Sequence, residues 1–166
     1  MGADARSGPA DVVIAREDPT SPDAESLLAG YRDELDERFP GGFTPPPRWA
    51  AARETLVPPT GAFLVLRADG EALGCGAVRV LEPGVGEVKH MWVHRSLRGH
   101  GLGRRMLAAC EDAARELGCT TVRLDTDSVL HEAVALYRAV GYRDIPRYNE
   151  NEACCALFLE RSLQDG

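Results

Sequence analysis

The chain has 166 residues, 44% hydrophobic and 27% charged, enough for one domain with a sizeable core. No apolar run approaches the roughly 18 residues that a membrane-spanning helix needs, which excludes a membrane protein. The net charge of −7 argues against a nucleic-acid partner and suits a cationic or amine-bearing small substrate.

Residues 1–10 are small and polar, predict a disordered tail, and hold no apolar signal segment. A single domain follows over 11–164. Its cysteines, Cys75, Cys110, Cys119, Cys154 and Cys155, are odd in number and mostly sit inside apolar patterns. They therefore read as reduced thiols in a cytoplasm, and with no CxxC spacing no metal site is expected. Lys89 is the only lysine among many arginines, alanines, glycines and prolines, which fits a GC-rich, bacterial genome.

DVVIAR (11–16) predicts a first strand. TSPDAE then supplies an N-cap and early acidic residues for a helix over SLLAGYRDELDERF, ending near Pro40-Gly41-Gly42. Residues 40–60 hold six prolines, with room for one short helix from Trp49 to Leu56. Irregular stretches of this length are often functional, so this one is a candidate wall on the substrate side. AFLVLRADGEALGCGAVRVLE reads as a hairpin turning at Asp69-Gly70, and EVKHMWV as a third consecutive strand. In LGRRMLAACEDAARELG, Leu102, Met106, Ala109, Cys110, Ala113 and Leu117 share one helical face. Glu111 and Arg115 are spaced to pair on the wet face, and Gly118 to end the helix. TTVRLDT is a strand, HEAVALYRAVG a helix closed by Gly141, and ACCALFLERSL a last strand. This order predicts an α/β or α+β domain with a mixed sheet.

LRGHGLGRRML, residues 97–107, places Gly99, Gly101 and Gly103 between a strand and a helix. The spacing is neither the G-x-G-x-x-G of a dinucleotide fold nor a P-loop. Yet the first helical turn offers unpaired N–H groups and the positive end of its dipole, and the missing Cβ atoms allow an anion to approach. Arg98, Arg104 and Arg105 add charge, so a pyrophosphate would sit well here.

RSLRGHGLGRRML resembles the acyl-CoA signature of the GNAT superfamily of N-acetyltransferases, with Arg98, Gly101 and Gly103 in the defining positions. EVKHMWV upstream and VRLDT and AVALYRAVGY downstream extend the resemblance over roughly residues 62–163. It implies the family's fold: a central mixed, mostly antiparallel sheet of six to seven strands flanked by about four helices and splayed between the fourth and fifth strands. It also implies acetyl-CoA as donor, held by Arg98, Gly99, His100, Gly101, Leu102, Gly103 and Arg104, with pantetheine along Met91, Trp92 and Val93. The implied activity is direct acetyl transfer to a primary amine, most simply on a small molecule. A protein amine is an alternative, as is an acyl-CoA sensor without turnover. Members of the family often dimerise, so a homodimer stays open.

Acetyl transfer from a thioester to an amine needs a donor for the carbonyl oxygen, a base for the amine and an acid for the departing thiolate. The resemblance places a main-chain N–H near the end of EVKHMWV in the first role and Tyr137 in the last. Tyr137 also shares a helical face with Ala133, Leu136 and Val140, which a core tyrosine would do. Two carboxylates compete for the base. Glu87, at the start of EVKHMWV, matches the glutamate of the histone-acetylating branch and is the first choice; Asp125 matches the position used by some ribosomal-protein acetyltransferases. Alternation along a regular strand puts Glu87, Lys89, Met91 and Val93 on one side. Where relatives often carry a cofactor-contacting asparagine this chain has Leu130, with Ser128 or His131 as substitutes. His90 and His94 would lie about 13 Å apart along a strand, too far to share a metal. Tyr148, Asn149, Glu150 and Asn151 form a polar turn before the last strand, a candidate lining of the acceptor cleft, and the acidic residues Glu87, Asp125, Asp127, Glu150 and Glu152 would suit a cationic acceptor.

Overall fold

The computed structural model describes residues 7–150 and 156–164. Most of the expected tail, the turn residues Asn151 and Glu152, and Cys154 and Cys155 lie outside that range. Strands β1 (Val12–Arg16), β2 (Gly61–Ala68), β3 (Glu71–Glu82), β4 (Val85–Val93), β5 (Thr121–Thr126), β6 (Arg143–Asp144) and β7 (Leu157–Ser162) form one sheet. The helices are α1 (Pro22–Arg38), α2 (Arg48–Ala51), α3 (Leu102–Glu116) and α4 (His131–Ala139). The spatial order is β1-β2-β3-β4-β5-β7-β6, and among the described residues only β4 and β5 run parallel.

Local chemistry accounts for most of these boundaries. Ser21 caps α1 by accepting from the Ala24 N–H at 3.1 Å, and Pro22, Asp23 and Glu25 occupy its first turn. Asp69 (φ +49°) and Gly70 (φ +87°) form the two-residue turn between β2 and β3. The proline-rich segment holds two shorter pieces, α2 and a 3-10 turn over Ala52–Thr55, instead of one helix. The two-residue β6, which pairs with β7, has no periodic signal in the sequence.

One face of the sheet packs on α3 and α4 through Leu64, Leu66, Val78, Met106, Cys110 and Leu124. The other packs on α1 through Ala24, Leu27, Leu28, Phe63, Val65 and Ala77. The buried face of α3 includes Leu107 and Ala114, while Ala109 and Leu117 lie at its margin. The expected Glu111–Arg115 pair does not form. Glu111 is buried and accepts from Arg161 Nη1 at 2.8 Å and from the Tyr142 hydroxyl at 2.9 Å, while Arg115 pairs with Asp112. A carboxylate turned inward needs such partners, and the long-range Arg161 supplies them where the neighbouring turn does not.

Candidate active site

β4 and β5 are paired only from Val85 to Glu87 against Thr121 to Arg123, and beyond that they diverge. The gap is a cavity of about 460 Å³ walled by α1, the open half of β4, the glycine loop, the end of β5 and α4. Along that half of β4, main-chain groups on the β5 side lack a ladder partner among the described residues. Such an edge accepts an amide-bearing chain as an added strand. Met91, Trp92 and Val93 all line it.

A bulge shapes this edge. Cys75 opposes Trp92 whereas Ala77 opposes Lys89, so β4 carries one extra residue, and His90 there adopts φ +52°. The alternation therefore changes hand at His90. Glu87 and Lys89 lie on the face of Trp92, and Met91 and Val93 lie with Val88 on the α3 face. This overturns the expected single row of Glu87, Lys89, Met91 and Val93. The thiol of Cys75, on β3, donates to the His90 carbonyl at 3.2 Å. On the other side Trp92 packs so closely against α1 that a Cβ on Gly30 would stand 2.8 Å from its ring.

The glycine loop has the form a diphosphate needs. Gly99 (φ +86°) and Gly101 (φ +71°) are left-handed, and a Cβ on either would meet nothing within 4 Å. Gly101 is the N-cap of α3 and provides no side-chain cap. Among the described residues the N–H groups of residues 99–104 donate to no main-chain carbonyl. That of Arg98 is already used, by the Arg95 carbonyl at 3.3 Å. Gly99, Gly101, Leu102, Gly103 and Arg104 line the cavity; His100 does not, its exposed ring lying against Gly8. Arg98 lines it too, with its guanidinium on Glu34, which also faces Arg38 at 3.8 Å. Arg38 in turn reaches Glu132 at 2.6 Å and the Val129 carbonyl at 3.0 Å, tying α1 to the start of α4. Nothing in the sequence pattern signals this chain of ion pairs, because its members are distant in the chain.

Tyr137 is both core and cavity wall. It is buried, stands 5.7 Å from the Tyr142 ring, and faces the cavity. Its hydroxyl has no hydrogen-bond partner among the described residues. Burial, then Cys110 and Asp125, raise its pKa, so it stays protonated. The two carboxylates fare differently. Glu87 is fully buried and absent from the cavity wall. Arg79 Nε (2.8 Å), Lys89 Nζ (3.3 Å) and the Tyr148 hydroxyl (2.7 Å) surround it. Asp125 does line the cavity and accepts from Asn149 Nδ2 at 2.6 Å. Tyr148 and Asn149, expected as a polar turn, thus reach inward. Leu130 lines the cavity, while Ser128 and His131 do not.

His90 carries the largest surprise. The residue is 8% exposed, and burial, then Lys89 and Arg53, lower its pKa to about 3, so it is neutral. The Trp49 ring lies 4.8 Å away at 76°, and Tyr31 stacks on Trp49 at 6.3 Å. His90 Nδ1, Trp49 Nε1 and Trp92 Nε1 are buried and have no partner among the described residues. Among the described residues no cluster of three metal-binding side chains occurs, and no helix is long and apolar enough to cross a membrane.

Comparison with known proteins identifies the family and the fold. A model of the acetyltransferase (GNAT) family matches residues 28–142. The chain is 36% identical over 155 residues to the IAA acetyltransferase of Azospirillum brasilense, covering 92% of this chain and 99% of that one. The solved structure of a candidate acyl-CoA N-acyltransferase from Klebsiella pneumoniae superposes with a TM-score of 0.70 at 32% identity, covering 92% and 97% of the two chains. A GNAT family acetyltransferase from Elizabethkingia anophelis, solved with acetyl-CoA bound, shares the fold at 17% identity, with a TM-score of 0.67 over 93% and 99%. With a seven-stranded splayed sheet and four α-helices among its described residues, and a match to the family over most of its length, the chain belongs to the GNAT family of acetyltransferases.

Proposed function

We propose that the protein transfers an acetyl group from acetyl-CoA directly to a primary amine of a small molecule, in a ternary complex within the cytoplasm. One observation carries the reading: among the described residues, the main-chain N–H groups of residues 99–104 donate to no main-chain carbonyl, and most of that glycine loop lines a cavity beside an open strand edge. Acetyl-CoA supplies the activated thioester. The loop binds the diphosphate, with Arg104 beside it and Arg98 released from Glu34, and β4 pairs with the pantetheine amides. A β4 N–H in the Met91–Val93 stretch donates to the carbonyl oxygen as the amine adds to the carbonyl carbon. The C–S bond then breaks, and the Tyr137 hydroxyl protonates the departing sulfur.

The base is Asp125 in this reading. It lines the cavity, and a bridging water carries the amine proton to it. Glu87, the first choice from sequence, is enclosed by three donors and acts by holding Lys89 and Tyr148 in place. The enclosure of Glu87 is what a non-catalytic acyl-CoA sensor would also show; the placement of Tyr137 on the cavity wall favours the enzyme. An assay of thiol release from acetyl-CoA over a panel of amines decides between them. Release with at least one amine is expected; tight acetyl-CoA binding with no release for any amine would establish the sensor.

A further inference from the structure

The chain is acidic overall, yet one of its cavities has a wall without a carboxylate. This second cavity, about 230 Å³, lies between α1, Pro45–Pro47, α2 and β4. Tyr31, Trp49 and His90 belong to its wall and also to that of the first cavity, so the two adjoin across these three rings. The charged groups of the second wall are Arg32 and Arg53. Arg53 is paired with Glu25. Arg32 is different: among the described residues it has neither an ion pair nor a hydrogen bond. A guanidinium left unpaired at the edge of an apolar pocket is poised to bind an oxyanion with two parallel N–H donors.

Of the cations near His90, Lys89 is paired with Glu87 and Arg53 with Glu25, which leaves Arg32 as the one without a counter-charge among the described residues. Trp49, whose indole N–H can only donate, has that N–H buried and, among the described residues, without a partner. Buried polar atoms without partners are rare enough in folded proteins to call for an explanation, and an absent ligand is one. The carboxylates of the first cavity, Glu34, Glu132 and Asp125, are not part of the second wall. Glu34 faces Arg38 as well as Arg98, Glu132 is bound by Arg38, and Asp125, held by the neutral Asn149, stands at the amine end of the path.

We infer that the acceptor is an amine bearing a carboxylate or similar anionic group, which Arg32 holds in the second cavity, while its flat or apolar body lies against Tyr31, Trp49 and Pro45–Pro47. This rests on the reading of the first cavity as the acetyl-transfer site and reverses the cationic acceptor that composition suggests. The anionic end anchors at Arg32, the body crosses the aromatic partition at His90, and the amine emerges at the β4 bulge where the thioester carbonyl lies. Polyamines and aminoglycosides have no anionic group for Arg32 and are excluded from the second cavity by its charge.

Two measurements on the full-length protein test this. In the first, acetyl transfer is compared for phenylalanine, phenylalaninamide, phenethylamine and spermidine, in the wild type and in Arg32→Ala. Phenylalanine should be preferred, and Arg32→Ala should raise its KM at least about tenfold with little change in kcat, the loss expected for one charge-assisted bond. The KM for phenethylamine should not move. In the second, phenylacetate, which has no amine and needs no turnover, is titrated into CoA-saturated protein by calorimetry. Saturable binding weakened at least about tenfold by Arg32→Ala supports the assignment even if no amine tried is acetylated. Preference for spermidine or phenethylamine, failure of phenylacetate to bind, or binding indifferent to Arg32→Ala would each overturn it. Rapid acetylation of cationic amines would overturn the anionic acceptor while leaving acetyl transfer intact; absence of acetyl-CoA binding would instead remove the proposed function.

Discussion

Replacing His90 by asparagine removes a titrating ring from the β4 bulge while keeping a residue that tolerates the left-handed backbone found there, φ +52°. In the unfolded chain the ring titrates near 6.5, whereas in the folded protein burial and the nearby Lys89, Arg53 and Arg32 lower its pKa to about 3. Above pH 6.5 the imidazole is neutral in both states and contributes no pH dependence. Below it, the unfolded chain takes up a proton that the folded protein refuses, so stability falls with falling pH, and keeps falling until about pH 3. At pH 5, about 1.5 units below the unfolded value, the loss from this one group is about 2 kcal/mol. Against a typical total of 5–15 kcal/mol that is a large share. Urea unfolding of wild type and His90→Asn at pH 7.5 and pH 5 measures it. The variant starts less stable because the Trp49–His90 contact is gone, so the informative quantity is the change between the two pH values. The wild type should lose about 2 kcal/mol more than the variant over that interval. Equal losses would show that His90 is protonated in the folded protein, and the picture of a neutral ring between the two cavities would fail.

Three further outcomes follow from the same geometry. Tyr137→Phe should lower turnover by about 10²-fold or more while calorimetry finds acetyl-CoA affinity unchanged; undiminished turnover would remove Tyr137 as the acid. Asp125→Asn should shift the acid limb of the rate–pH profile. Glu87→Gln should instead act on stability, costing about 3 kcal/mol in chemical denaturation, because Arg79 and Lys89 lose their shared buried counter-charge. A shift of the acid limb in Glu87→Gln alone would return the base to Glu87. Gly101→Ala forces a Cβ into a left-handed position, φ +71°, at a cost of about 1–2 kcal/mol in stability. The same Cβ stands in the open space of the cradle, so acetyl-CoA affinity should fall by at least about tenfold, measured by calorimetry. Undiminished affinity would move the diphosphate away from this loop.

Local features were legible from the chain because their causes are local. Ser21 caps the helix it precedes, Asp69-Gly70 turns the hairpin, and glycines at 99 and 101 take conformations that other residues resist. The resemblance of residues 97–107 to a CoA-binding signature drew on the same short-range information, and the free amides of residues 99–104 are consistent with it. What alternation along β4 could not reveal is the bulge at His90. An extra residue in one strand appears only when the partner strand is present to be counted against. That one residue moved Met91 and Val93 to the opposite face from Glu87. Tertiary packing likewise decided which acid is sealed and which faces the cavity, since Arg79, Lys89 and Tyr148 converge on Glu87 from three places in the chain. It also set the sign of the charge on the wall of the second cavity. Composition sums every ionisable group, and a net charge of −7 says nothing about a pocket whose charged wall residues are Arg32 and Arg53. Electrostatic potential at a site is set by distance and burial, and those exist only once the chain has folded.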